Sequence, residues 1–294
     1  MTQATGRIGP VLVEQLVLAG FEVTALTRGS TKHDFPETVA VKIVDYDSLA
    51  SVTEALTGQD AVVSALGHGP GLAGLQSILL EAAVNAKVKR IIPSEYGSDT
   101  RNAKAGSLPF YQKKVKAQGA FEQAAATGSI TYTIICTGPF LDWGISSGFL
   151  VDMKAKSAQL YDGGNNLFSA TTVANIGKAV SGVLKNLEQT KNRAAYVQGI
   201  AIFQKTLVEM CKKATGPAGW KEQQVSIQDL LDQGFAELKK DKPDPIISSR
   251  NFLIAAVFGE GYGSQFQKLD NDLLGLKGMD EAEVQAIVDG LAKQ

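Results

Sequence analysis

Gln3-Ala4-Thr5-Gly6-Arg7-Ile8-Gly9 runs directly into PVLVEQLVLAG, residues 10 to 20, and this junction decides the fold. Residues 10 to 19 read as a helix. Pro10 suits the first helical turn, where its missing N–H costs nothing, and Gly20 suits the C-terminal end. Small residues just ahead of a helix let backbone N–H groups approach a pyrophosphate, and the helix dipole favours the negative charge. Thr5, Gly6, Arg7, Ile8 and Gly9 are therefore candidate phosphate-turn residues. Taken alone the turn is equally a plain helix entry, and the residues downstream separate the two.

Strands are expected at Phe21–Thr27, Val39–Val44, Asp60–Leu66, Val88–Pro93 and Tyr132–Cys136. Between them lie a helix capped by Asp47 or Ser48, with Leu49, Val52 and Leu56 on one face, and helices at 72–86 and 110–126. Short apolar strands alternating with helices predict an α/β fold of the Rossmann type, a doubly wound parallel sheet covered on both faces. After about residue 140 the pattern turns irregular, with a helix near 172–187, a strand near 195–200 and a helix near 204–214. KKDKPDP, residues 239–245, reads as a surface loop, and a last helix starts at a cap on Asp280. We expect a cofactor domain over residues 1–150 and a smaller α/β C-terminal substrate lobe over 151–294, partly interwoven with it.

A phosphate turn ordinarily follows a strand, and Gln3 stands where the first glycine of a GxxGxxG pattern would be. The first strand is thus expected to be missing. That strand is central in a doubly wound sheet, so its loss leaves unpaired backbone groups on both neighbours. Either the sequence is a shortened version of a longer natural chain, or the sheet has closed over the gap.

Arg28 stands at the end of the expected strand Phe21–Thr27, where NAD-binding proteins often carry an acid for the ribose 2′-hydroxyl. An Arg pairs instead with the 2′-phosphate of NADP. Ser30, Thr31 and Lys32 follow and extend that contact, Lys32 as a possible partner. Ser64, Ala65, Leu66 and Gly67 stand at the end of the expected strand Asp60–Leu66, at the edge that borders the cofactor crevice. His68 follows in a glycine-rich stretch, either against substrate or cofactor or without a role.

The formal net charge is -1, and no basic stripe marks a nucleic-acid binder. Two cysteines, Cys136 and Cys211, make no disulfide framework and suggest a reducing compartment. No apolar run approaches the roughly 20 residues that span a bilayer. Residues 1–4 lack the basic and apolar regions of a signal peptide, so a cytoplasmic protein is expected. No His/Cys/Asp cluster has metal-ligand spacing.

TGRIG, FEVTALTR, DAVVSALG, VKRIIPSEYGSD and YTIICTGPFLDWG follow one another in that order. Together they resemble the NmrA-like family, near the isoflavone reductase-like branch of the atypical short-chain dehydrogenases, from residue 3 to about 185. The resemblance implies NADP(H) binding. In the reductase branch it implies reduction of a small aromatic or phenylpropanoid-like molecule; other NmrA-like proteins are non-catalytic redox sensors that act through a protein partner. It places Asp45 near the adenine. It also places Lys114, in FYQKKVKAQGAFE, at the family's catalytic lysine, holding the nicotinamide ribose and donating a proton; the alternative is a solvated face shared with Lys113 and Lys116. Tyr111 is not assigned as the acid, because the usual Tyr–Lys spacing of four would fall on Val115. Glu95 and Tyr96 are expected to shape the loop after the strand Val88–Pro93, with Tyr96 on the substrate side. Pro139 and Phe140 flank the nicotinamide and Trp143 lines an apolar pocket, or the aromatic pair belongs to the core. A cofactor-free interaction protein is the third class left open.

Overall fold

The computed structural model describes residues 1–2, 4–29, 35–67 and 71–293. Helix α1 (Gly9–Leu18) is followed by β1 (Thr24–Thr27), β2 (Ala40–Ile43), α2 (Leu49–Leu56), β3 (Ala61–Val63), α3 (Leu72–Asn85) and β4 (Arg90–Ile92). A short α4 (Ala103–Gly106), α5 (Gln112–Ala126), β5 (Thr131–Cys136) and α6 (Leu141–Ser146) complete the first half. Ser48 caps α2, its hydroxyl accepting from the Ser51 N–H, as its residue type predicts.

β1 pairs in parallel with β2. β3, β4 and β5 pair in parallel with one another. Between these two groups lies Thr2, which bridges Leu26 on one side and Ser64 on the other, both in parallel. The Thr2 N–H donates to Val63 O at 3.0 Å, and the Leu26 N–H donates to Met1 O at 2.8 Å. Met1 and Thr2 thus occupy the central slot of the sheet. β1 and β3 stay on opposite sides of these two residues, so the alternative of a sheet closed up with β1 beside β3 does not occur.

The second half contains β6 (Ser157–Tyr161), β7 (Leu167–Ala170), α7 (Val173–Lys185), β8 (Arg193–Tyr196), β9 (Ile200–Phe203) and α8 (Gln204–Thr215). β10 (Lys221–Val225), α9 (Ile227–Leu238), α10 (Pro245–Phe258) and α11 (Glu281–Leu291) follow. β8 returns to the main sheet beside β5, so the order is β2, β1, Thr2, β3, β4, β5, β8, all parallel. β7 pairs antiparallel with β9, and β6 parallel with β10.

Two expected strands are redrawn. Phe21 does not join β1, because its N–H is spent on Leu16 O and closes α1. The strand expected near 195–200 is two strands. Val197 still donates to Cys136 O in the main sheet, whereas Gly199 donates to Ala170 O, so the chain changes sheets between them.

Alternate residues of the buried strands face opposite layers. Val62, Ile91 and Ile134 pack with Leu79 of α3 and Phe121 of α5. Val63, Ile92 and Ile135 pack with Leu12 of α1 and Val180 of α7. Continuous apolar strands follow from burial on both faces. A third core gathers α6, α8, α10 and α11 beneath β7 and β9.

Candidate functional site

The site is built along the C-terminal ends of the central strands. The turn residues Gly6, Arg7 and Ile8 line a cavity of about 380 Å³ with Ala65, Leu66 and Gly67, which follow β3. Ser94, Tyr96, Lys114 and Phe140 complete its wall. Gly9 is buried as the first residue of α1. Thr5 is exposed beside the turn. The N-terminus of α1 has no side-chain cap and no acid in its first turn, which leaves its N–H groups open to an anion.

A second, more open cavity continues along the sheet edge past Arg28, Asp45 and Tyr46 to Gly71 and Gly74 on α3. The Arg28 guanidinium lies 5.9 Å from the Tyr46 ring centroid. Tyr46 is fixed there by donating its hydroxyl to Leu26 O at 2.9 Å. Asp45 is exposed, and its Oδ1 accepts from the Asp47 N–H at 3.0 Å in a local turn.

Lys114 projects from α5 toward the first cavity. Its Nζ donates to Glu95 O at 2.9 Å and lies 3.9 Å from Glu95 Oε2. The Lys114 side chain is 11% exposed, whereas that of Glu95 is 2% exposed. Lys114 is thus separated from the solvated lysine face that Lys113 and Lys116 form. Glu95 Oε2 also accepts from Gln118 at 3.0 Å, and Gln118 donates in turn to Thr100 at 2.6 Å. Burial pushes the Glu95 carboxyl above the usual carboxylate range, opposed by Lys114 and by the side chains of Gln118, Gln76 and Thr100. The Gln76 amide faces the carboxyl without a well-formed hydrogen bond, and Gln76 Nε2 and Glu95 Oε1 both lack a partner. Tyr111 donates to Ser98 Oγ at 2.9 Å, and burial raises its pKa, so it is a poor proton donor.

A third cavity, of about 230 Å³, opens on the far side of Lys114. Its walls are Phe110, Tyr111, Phe140, Trp143, Phe149, Leu253 and Val257, with Pro139 and Tyr96 at the seam. Trp143 and Phe149 stack at 6.4 Å between ring centroids. Arg7 lies over the Trp143 ring, its guanidinium carbon 3.9 Å from the centroid. Gly138 turns the chain into this wall at φ +63°, where a Cβ would collide with the Ser169 carbonyl.

Thr2 Oγ1, Thr27 Oγ1, Ser64 Oγ, Gln76 Nε2 and Tyr96 OH are buried without hydrogen-bond partners. All lie at or beneath the carboxyl ends of the strands. Buried polar atoms ordinarily find partners. With the uncapped helix terminus and Arg28, this row fits a dinucleotide carrying a 2′-phosphate, laid across the strand ends.

The expected residues that the structure describes therefore gather at one edge; Ser30, Thr31, Lys32 and His68 lie outside the described residues. Sequence reasoning missed Gln76, Phe110, Phe149, Leu253 and Val257. Phe110 was within reach, four residues ahead of Lys114. Leu253 and Val257 arrive on α10, and no local pattern carries that contact.

A family model described as NAD(P)H-binding matches residues 4–187. Oxidoreductase poxI of Penicillium oxalicum is 31% identical over 295 residues, covering 97% of this chain and 92% of the relative. Oxidoreductase aprR of Aspergillus flavus is 30% identical, covering 91% and 90%. Among solved structures, AtPrR2 with NADP+ and (+)pinoresinol superposes with a TM-score of 0.78 at 19% identity, covering 99% and 97% of the two chains. Leucoanthocyanidin reductase of Vitis vinifera gives 0.75 at 18% identity, covering 100% and 98%. An isoflavone reductase gives 0.68 at 20% identity, covering 99% and 97%. The matched span is most of the chain and contains the phosphate turn, Arg28 and Lys114. The chain belongs to the NAD(P)H-binding family of oxidoreductases and has the fold of its NmrA-like, isoflavone reductase-like branch.

Proposed function

We propose that this protein is an NADPH-dependent reductase of a small conjugated, aromatic molecule. The observation that carries the reading is the position of Lys114, which borders both the cavity beside the phosphate turn and the aromatic-walled one. NADPH, when bound, supplies a hydride. The residues named here do the rest. Gly6, Arg7, Ile8 and Gly9 hold the pyrophosphate through backbone N–H groups, and Arg28 pairs with the 2′-phosphate. Ser64, Ala65, Leu66 and Gly67 let the ribose pass close to the backbone, with Asp45 beside the adenine. Pro139 and Phe140 flank the nicotinamide.

Phe110, Trp143 and Phe149 hold a planar substrate and exclude water, which fixes its orientation. Tyr96 lies at the same seam. Lys114 donates a proton to the substrate as negative charge develops on it. Two parts of the chain meet here: residues 1–150 supply the cofactor edge, and α10, from residues 151–294, supplies Leu253 and Val257 to the substrate wall. The buried free thiols Cys136 and Cys211 accord with a cytoplasmic protein. No helix among the described residues is long and apolar enough to cross a membrane.

The test is NADPH oxidation by the purified chain against a panel of aromatic enones and quinones. Turnover is expected with at least one class. Tight NADPH binding with no turnover across the panel would instead point to a redox sensor acting through a protein partner.

A further inference from the structure

Among the described residues, the aromatic-walled cavity is lined by two cations, Arg7 and Lys114, and by no carboxylate. Lys114 is engaged by Glu95, as described. Arg7 is in none of the ion pairs among the described residues. The nearest acids are spent elsewhere. Asp142, next in sequence to Trp143, accepts from the Val173 N–H through both oxygens at 3.2 Å and from the Trp143 N–H at 2.9 Å. Glu95 is buried behind Lys114 with its carboxyl bonded to Gln118. The Arg7 guanidinium lies over a Trp143 ring that is itself stacked on Phe149, its carbon 3.9 Å from the centroid. Stacking engages the face of the guanidinium and leaves its in-plane N–H donors for an oxygen anion.

We infer that the substrate is a conjugated carbonyl compound carrying an anionic oxygen, a carboxylate or an acidic enol, and that Arg7 is its counter-ion. This rests on the reductase reading for the reaction, though not for the binding. The backbone of the same turn addresses the pyrophosphate, so residue 7 serves both partners, its N–H on one side and its side chain on the other. In the reaction, the C=C bond gains a hydride at the carbon β to the ketone and a proton from Lys114 at the α carbon. NADPH is oxidised to NADP+ in the same step. Arg7 balances the charge that the substrate brings and leaves Lys114 free to give up its proton.

The test uses a matched pair, 4-oxo-4-phenylbut-2-enoic acid and its methyl ester, as NADPH-dependent substrates. The saturated acid and its ester serve as binding probes, read by quenching of Trp143 in a Trp220→Phe background, which leaves a single indole. We expect the acid to bind and turn over about tenfold better than the ester, the scale of one charge-assisted hydrogen bond. Arg7→Gln should bring that ratio close to one, with the Kd for NADPH changed less than about threefold. Equal binding of acid and ester by the unaltered chain overturns the inference and leaves the reductase reading intact. Loss of NADPH affinity in Arg7→Gln with the acid-to-ester ratio unchanged also overturns it, and assigns the side chain to the pyrophosphate. Acid-selective quenching without turnover of any compound sinks the reductase reading instead.

Discussion

Lys114 and Glu95 meet twice: the lysine Nζ donates to the Glu95 backbone oxygen at 2.9 Å and lies 3.9 Å from a carboxylate oxygen of the same side chain. One residue of the loop after β4 thus fixes both the direction and the electrostatic setting of the proposed proton donor. Glu95→Gln keeps the shape and the Gln118 neighbourhood but removes the titrating group. It is expected to lower kcat several-fold with little change in KM, and to displace the pH profile of kcat relative to the unaltered chain. An unchanged profile would reduce Glu95 to a packing residue.

Lys114→Met retains the stem and removes the ammonium. General-acid contributions are typically about 10²- to 10⁴-fold, and a fall in kcat of that size is expected. Circular dichroism should stay near that of the unaltered chain, with some loss of thermal stability, because the Glu95 carbonyl and its buried carboxyl lose their cationic partner. Turnover within a few-fold of normal would dismiss the lysine as the donor.

Arg28→Ala should weaken NADPH binding by about ten- to a hundredfold, the scale of a charge-assisted phosphate contact of roughly 1.5–3 kcal/mol. NADH binding should barely move. The readout is a pair of fluorescence titrations, and equal losses for both nucleotides would contradict a 2′-phosphate role.

Arg90 on β4 is 2% exposed and clamps the sheet from within. It donates to Thr131 and Thr133 on β5, to Thr190, and to Leu187 O after α7. Arg90→Ala removes the donors and leaves buried oxygens unsatisfied, at about 3 kcal/mol or more. Denaturant unfolding should show this as a lower midpoint, with NADPH affinity measured below the transition little changed.

Stability should also depend on pH through Glu95. Its pKa is raised in the folded chain by burial, above the ordinary carboxylate value of about 4.5. The unfolded chain therefore releases this proton first as pH rises, so the contribution of Glu95 is full below about 4.5 and is lost as pH climbs toward its folded pKa. Unfolding curves of Glu95→Gln should show a smaller loss of stability across that window than the unaltered chain. Parallel curves would refute the assignment.

The alternation of short apolar strands with helices was sufficient to place the sheet, because continuous apolar strands are stable only between two helical layers. The candidate turn residues, Arg28 and Ser64 to Gly67 are readable as candidates because they stand at a helix start or at strand ends, where local pattern fixes position, whereas Lys114 is singled out only by the family resemblance of FYQKKVKAQGAFE. The fate of the central slot was not legible. Two residues fill it, and only their hydrogen bonds to Leu26 and Val63 show that they do.

The sequence by itself determined the layers, the strand ends along which the candidate residues line up, and the presence of an arginine at the end of β1, where we propose the 2′-phosphate is read. The tertiary structure alone decided what faces Lys114. Glu95, Arg7 over Trp143, and Leu253 with Val257 come from elements other than α5, and they meet because the helices dock on a common sheet. Such contacts depend on distance in space between groups far apart along the chain, and neither periodicity nor residue type records it.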